Sequence, residues 1–211
     1  FLPDRHIVQP QDLAETVGQS WLTYLPSLGI NSPINGKTLS NVGVTSAAGY
    51  SGIAAHIADV GDYLQFTHSL DLYRRFHLVS VFDLDASSIF SRLFEFEAES
   101  SGDPRFGVWF APSTSSGTNG NANSIAILRN VTGSIGSAER WTTPTNSLVR
   151  PLSGVVLEVI WEATTSDTTT PSVWINGVPQ TMTKCQSAFI SSTAFAPLNG
   201  VACRIGNRFG T

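Results

Sequence analysis

The sequence predicts an antiparallel jelly-roll β-sandwich. Three observations point there: many short apolar runs of period two, turn residues between them, and no helical pattern alternating with the strands. At 211 residues the chain can bury one sizeable core, and all-β sandwiches of this size commonly form a single domain. The expected division is an N-terminal arm over residues 1–31 and a sandwich over residues 32–211.

The first thirty residues differ from the rest. Leu13, Val17, Trp21, Leu22 and Leu25 recur near helical spacing, with Asp12 and Glu15 early, where a helix dipole favours acids. Gly18 and Pro26 interrupt the pattern, so a short helix or an irregular arm is expected, suited to docking on another chain or packing across the sandwich end. The chain opens on Phe1 rather than methionine, which suggests a processed product or part of something larger.

After Asn31, strands are expected at Lys37–Val44, Ala54–Ile57, Tyr63–Thr67, Phe76–Asp83, Ile89–Glu99, Arg105–Phe110 and Ser124–Asn130. Further strands are expected at Leu148–Pro151, Val155–Ala163, Ser172–Asn176 and Gly200–Asn207. The Phe76–Phe82 run is apolar on one parity and mixed on the other, which places it in the inner part of a sheet. The clearest signal is Gly154 to Val178. Val155, Leu157, Val159 and Trp161 share one parity while Glu158 and Glu162 take the other, giving a strand with one buried face. A Thr/Ser/Asp loop and Pro171 take the chain out of the sheet, and a second strand closes on Asn176-Gly177, residues that tolerate the positive φ of a tight turn.

Composition narrows the function classes. Charged residues are only 13% of the chain, the formal net charge is −4, and Lys37 and Lys184 are the lysines. No basic patch is visible, which argues against phosphate-driven nucleic-acid binding. No apolar segment approaches the roughly 20 residues that span a bilayer as a helix, so membrane insertion is not expected. Cys185 and Cys203 are too few for a disulfide scaffold or a zinc site. Cys203 alternates with Val201 and Ile205 and reads as a buried core residue, although a Cys185–Cys203 bridge stays open for an oxidising compartment.

Four segments resemble a known family in order and spacing. Gly52 to Leu64 is similar to the early signature of concanavalin A-like, laminin G-type jelly rolls. There a glycine, a small-residue strand, a tight turn and an aspartate-aromatic-apolar step lead onward. Phe76 to Asp83 looks like the family's long strand, the Gly154 to Val178 hairpin resembles its late hairpin, and Arg204-Ile205-Gly206-Asn207 matches the short strand that follows. The resemblance covers most of Lys37 to Arg208. It implies a further strand beside an early one, yet the chain stops at Thr211. Either that strand is missing from this chain, or the arm or a neighbouring chain fills an open sheet edge.

Glu95-Phe96-Glu97-Ala98-Glu99 is the one constellation with a catalytic look. Carboxylates at alternate strand positions project from one face. The pattern resembles the Glu-x-Asp-x-Glu signature of laminarinase-type glucanases, which implies Glu95 as nucleophile, Glu99 as general acid and Glu97 as the group tuning them. Glutamate replaces the central aspartate here, and a solvent-facing sheet surface carrying acids is the simpler expectation. Asp59, Asp62, Asp103 and Asp167 are turn-region acids that could supply oxygen ligands to calcium, as loops do in many jelly rolls. Otherwise no cofactor is expected. The histidines show no paired ligand spacing, and no serine sits in a nucleophile elbow.

Two tryptophans suggest a binding face. Trp141 is expected in a polar loop between Arg140 and Thr142, and Trp109 takes the parity opposite Phe106, Val108 and Phe110, so each could offer an indole to a sugar ring. The expected function is a non-enzymatic structural or adhesion module with a laminin G-like fold, such as a decoration, fibre or capsid-associated component of a virion. Its expected partners are other chains of the assembly, through the arm and the open edge, and cell-surface glycans. The expected location is the virion or the extracellular space. The alternatives are a carbohydrate-binding module of a secreted enzyme and a glucanase using Glu95 and Glu99.

Overall fold

A computed structural model describes residues 39–49, 52–58, 61–66, 75–85, 91–97, 104–130, 138–162, 170–186 and 202–206. The expected N-terminal arm lies outside them. They form an antiparallel jelly-roll β-sandwich of fourteen strands in three sheets. In chain order these are β1 (Ser40–Val42), β2 (Thr45–Gly49), β3 (Gly52–His56), β4 (Tyr63–Phe66), β5 (Arg75–Leu84), β6 (Ser91–Glu97) and β7 (Pro104–Ala111). Then follow β8 (Ser124–Asn130), β9 (Ala138–Thr142), β10 (Leu152–Glu162), β11 (Ser172–Ile175), β12 (Val178–Gln180), β13 (Thr183–Gln186) and β14 (Ala202–Gly206). The large sheet runs β1-β4-β14-β6-β7-β8-β9-β13, the second runs β12-β11-β10-β5, and β2-β3 is a separate hairpin.

Alternation explains the core. Phe94, Phe96, Phe106, Val108, Phe110, Ile125, Ile127 and Cys203 of the large sheet meet Leu84, Val155, Leu157, Val159, Trp161, Val173 and Ile175 of the second in one buried cluster. Aromatic contacts tie the layers together: Phe106 lies 6.0 Å from Trp161, and Phe82 lies 4.6 Å from Phe110. Each such pair adds about 0.5–1.5 kcal/mol beyond its buried area.

The Gly154 to Val178 hairpin forms as its residues dictate. Val155, Leu157, Val159 and Trp161 are buried, and β10 pairs with β11 from Leu157↔Ile175 to Ile160↔Ser172. Asn176 and Gly177 take φ of 52° and 78° in the turn between β11 and β12. The Asn176 side-chain oxygen accepts a hydrogen bond from the Val156 amide at 2.8 Å.

Several expectations fail for physical reasons. Leu148–Pro151 is not a strand: Leu148 is a buried plug whose amide donates to the Asn123 carbonyl, and a cis Arg150–Pro151 bond leads into β10. Strand β9 escapes the hydropathy pattern because it buries Glu139 and Arg140 on its two faces. Strand β5 lies at the end of its sheet and, among the described residues, pairs with β10 alone. Its second apolar parity, Val79 and Val81, is exposed. Strand β14 is bonded to β4 on one side and β6 on the other, so it already completes the sheet beside an early strand. Among the described residues no gap is left beside β14. Among the described residues, the ends of the large sheet are β1 and β13.

The cysteines are not bridged. Five inter-strand steps separate β14 from β13. At about 4.8 Å each they hold the two Cα atoms roughly 24 Å apart, against the roughly 7 Å limit for a disulfide.

Candidate functional site

The outer face of the four-stranded sheet is the surface on which apolar and polar chemistry meet in the open. Because β5, β10 and β11 bury one parity, the other points outward: His77, Val79 and Val81 on β5, Val156, Glu158 and Ile160 on β10, and Trp174 on β11. Register places Trp174 opposite Glu158 and Glu158 opposite Val79, with Val156 beside Val81 and Ile160 beside His77. Val79, Val81 and Val156 are 60%, 53% and 40% exposed, and Trp174 is half-buried. The His77 ring nitrogen Nε2 lies 2.9 Å from Glu158 Oε1, both side chains being substantially solvated. So open a pair contributes at most about 1 kcal/mol to stability. It also leaves one Glu158 oxygen able to accept a bond from a ligand.

The residues singled out by sequence lie elsewhere. Trp109 does face away from the main core, but it is only 3% exposed and packs with Ala126 and Leu128. The Arg92 and Arg140 guanidinium carbons lie 5.1 and 5.2 Å from its ring centre. A side chain at Gly107 would lie 2.6 Å from its ring nitrogen, so the indole rests on that bare backbone. Trp141 is not in a loop. It sits on β9 opposite Ile127, 9% exposed and part of the core, with the Lys184 ammonium 4.9 Å from its ring centre. Lys184 also pairs with Glu139. Neither indole offers the open stacking face expected of it, because cross-strand neighbours cover both.

Glu95 is fully buried rather than displayed to solvent. Arg92 Nη1 donates to both its carboxylate oxygens, at 2.9 and 3.0 Å. The cause is a register shift between Arg92 and Phe94, which leaves Arg92 and Glu95 near each other at the strand surface. On the other side Glu95 stands opposite Arg204, also fully buried. Glu97 closes β6 at a second register shift, opposite Pro104. Glu99 lies outside the described residues.

Among the turn-region acids, Asp59, Asp103 and Asp167 lie outside the described residues. Asp62 Oδ2 accepts a hydrogen bond from the Ala58 amide at 3.2 Å, and its carboxylate packs against Gly43. Among the described residues no three His, Cys, Asp or Glu side chains gather as a metal cluster would require.

Arg140 is buried and held on several sides. It donates to the Thr118 carbonyl and to Asn119 Oδ1, while its Nε is buried with no hydrogen-bond partner. Burial pushes its pKa down, opposed by nearby Cys185. Burial likewise pushes the Cys185 thiol up, opposed by Arg140. Elsewhere an open recess of about 510 Å³ runs along β2 and β3, lined by Ser46, Ala47, Ala48, Gly49 and Ile53. That lining has one hydroxyl to read a polar ligand.

Trp174 is not among the residues that the sequence singles out. The signal was present: Trp174 takes the parity opposite Val173 and Ile175, which are buried. Only the cross-strand register shows that Glu158 and Val79 share its row.

No protein-family model matches the chain, and no curated protein matches it. Among solved structures it is similar to sheep galectin-11 in complex with glycerol, at 14% identity over 71% of this chain and 90% of that one, TM-score 0.35. It is also similar to the carbohydrate-binding module CBM66 from Bacillus subtilis, at 9% identity over 82% and 93%, TM-score 0.38. A third likeness is to the binding domain of Paraclostridial mosquitocidal protein 1, at 10% identity over 84% of this chain and 45% of that one, TM-score 0.45. At these identities and TM-scores the likenesses bear on neither ligand nor activity.

Proposed function

We propose that this chain is a non-catalytic binding module that serves as an adhesion or decoration component of a virion or a similar extracellular particle. The observation that carries this reading is the outer face of the four-stranded sheet, where Val79, Val81 and Val156 stand exposed in adjoining rows. A contiguous apolar surface of this kind marks an interaction site. The fate of Glu95 supports the same view, since a buried carboxylate with both oxygens on Arg92 is out of reach of a glycosidic bond. The laminin G-like order of the sequence motifs agrees with a module of this type.

A second reading is carbohydrate binding, which Trp174 favours. A half-buried indole beside a hydrogen-bonded carboxylate–imidazole pair can stack on a sugar ring and bond its hydroxyls. Two measurements test these readings. On a glycan array, binding that is lost in Trp174→Ala supports the second. In a β-glucan hydrolysis assay the expected result is no turnover, and a turnover that Glu95→Gln abolishes would overturn the non-catalytic assignment.

A further inference from the structure

We infer that the outer face of the four-stranded sheet binds a second copy of this chain, forming a two-fold, back-to-back dimer; this rests on reading that face as a docking surface. Shape is the first reason. The face is a pleated sheet surface with short β-branched side chains at its middle, and the natural complement to such a surface is another sheet at about 10 Å. The polar groups are the second reason. His77 Nε2 and Glu158 Oε1 lie 2.9 Å apart on the face. A two-fold axis passing near this pair sets each imidazole against the other copy's carboxylate, donor facing acceptor, and an isologous contact requires this self-complementarity.

Area is the third reason. Strands β5 and β10 are 10 and 11 residues long, so they span roughly 33 Å. With β11 and β12 beside them, the face offers on the order of 500 Å² per copy. A pair then buries about 1,000 Å², the lower bound for a specific interface. Trp174 lies on the same face and would supply the aromatic anchor that such a modest interface needs.

The test is sedimentation of the intact chain from about 1 to about 100 μM, the range in which a modest interface associates. The expected result is a concentration-dependent dimer. The double variant Val79→Asp/Val156→Asp should weaken the dimer by at least about 100-fold, with an unchanged circular dichroism spectrum. Val149→Asp alters a valine that is 53% exposed but lies outside these strands, and it should leave the dimer intact. A measurement on the unmutated chain guards against misfolded variants: iodide quenching of the tryptophan emission should rise on dilution, as Trp174 is uncovered while Trp109, Trp141 and Trp161 stay buried. A wild type that is monomeric throughout overturns the inference, as does a dimer that the double variant leaves unchanged. Those outcomes leave the non-catalytic docking reading standing. Glucan turnover abolished by Glu95→Gln would overturn that reading whatever the oligomeric state.

Discussion

Single residues in this fold are constrained where a large side chain or a charge has no room to move. Trp109 lies against Gly107, where a Cβ would come within 2.6 Å of the ring nitrogen. Gly107→Ala should therefore push the indole off the sheet and cost about 1–3 kcal/mol, the usual penalty for overpacking, as a lower midpoint in urea unfolding. Glu95 stands between Arg92 and Arg204 with no solvent to replace it. Glu95→Ala leaves Arg92 charged and buried without this carboxylate, and a loss of about 3–5 kcal/mol is expected. The same unfolding experiment reads it. Cys185 gives a pH-dependent prediction. Burial raises its thiol pKa in the folded chain, so the folded state binds the proton more tightly than the unfolded one. That group's contribution to stability falls as pH rises above the ordinary value of 9.0. It follows that Ellman's reagent should label Cys185 slowly at pH 8 and both cysteines quickly only in denaturant. Rapid native labelling at pH 8 would contradict this.

Elements were legible wherever one parity is buried and the other wet. Strand β10 shows this fully, and Ser124–Asn130 was expected and found with the same bounds. Strand β9 was hidden because its polar residues, Glu139, Arg140 and Thr142, are buried rather than solvated, so hydropathy carries no alternation there. Strand β5 misled in the opposite direction, since Val79 and Val81 suggest burial on both faces yet stand open. The Asn176-Gly177 turn joins local sequence to packing. Asn176 tolerates φ of 52° and also bonds the Val156 amide. Asn176→Ala should cost about 2 kcal/mol, combining left-handed backbone strain with a lost hydrogen bond. Asn176→Gly should cost less because it relieves the strain. Thermal melts of the two variants separate the contributions.

For the whole molecule, the large sheet decides what its residues can do. It places Cys185 and Cys203 five strands apart, so the melting temperature should be the same with and without a thiol reductant. A reductant-dependent fall would mean a bridge that this topology forbids. The sheet also carries Arg92, Glu95, Trp109, Arg140 and Arg204 at 0–7% exposure, turning residues that look like surface chemistry into buried structure. The candidate site therefore moved to the second sheet, whose outer face stays open.

The sequence by itself determined the class of fold, the placement of most strands and the hairpin with its turn. Those follow from local alternation and from the few residues that accept positive φ. Tertiary structure alone decided which acids and indoles are covered, where β14 inserts, and that Trp174, Glu158 and Val79 share one row. Cross-strand register and layer burial are relations between segments far apart in the chain, and no local pattern encodes which residue stands opposite which.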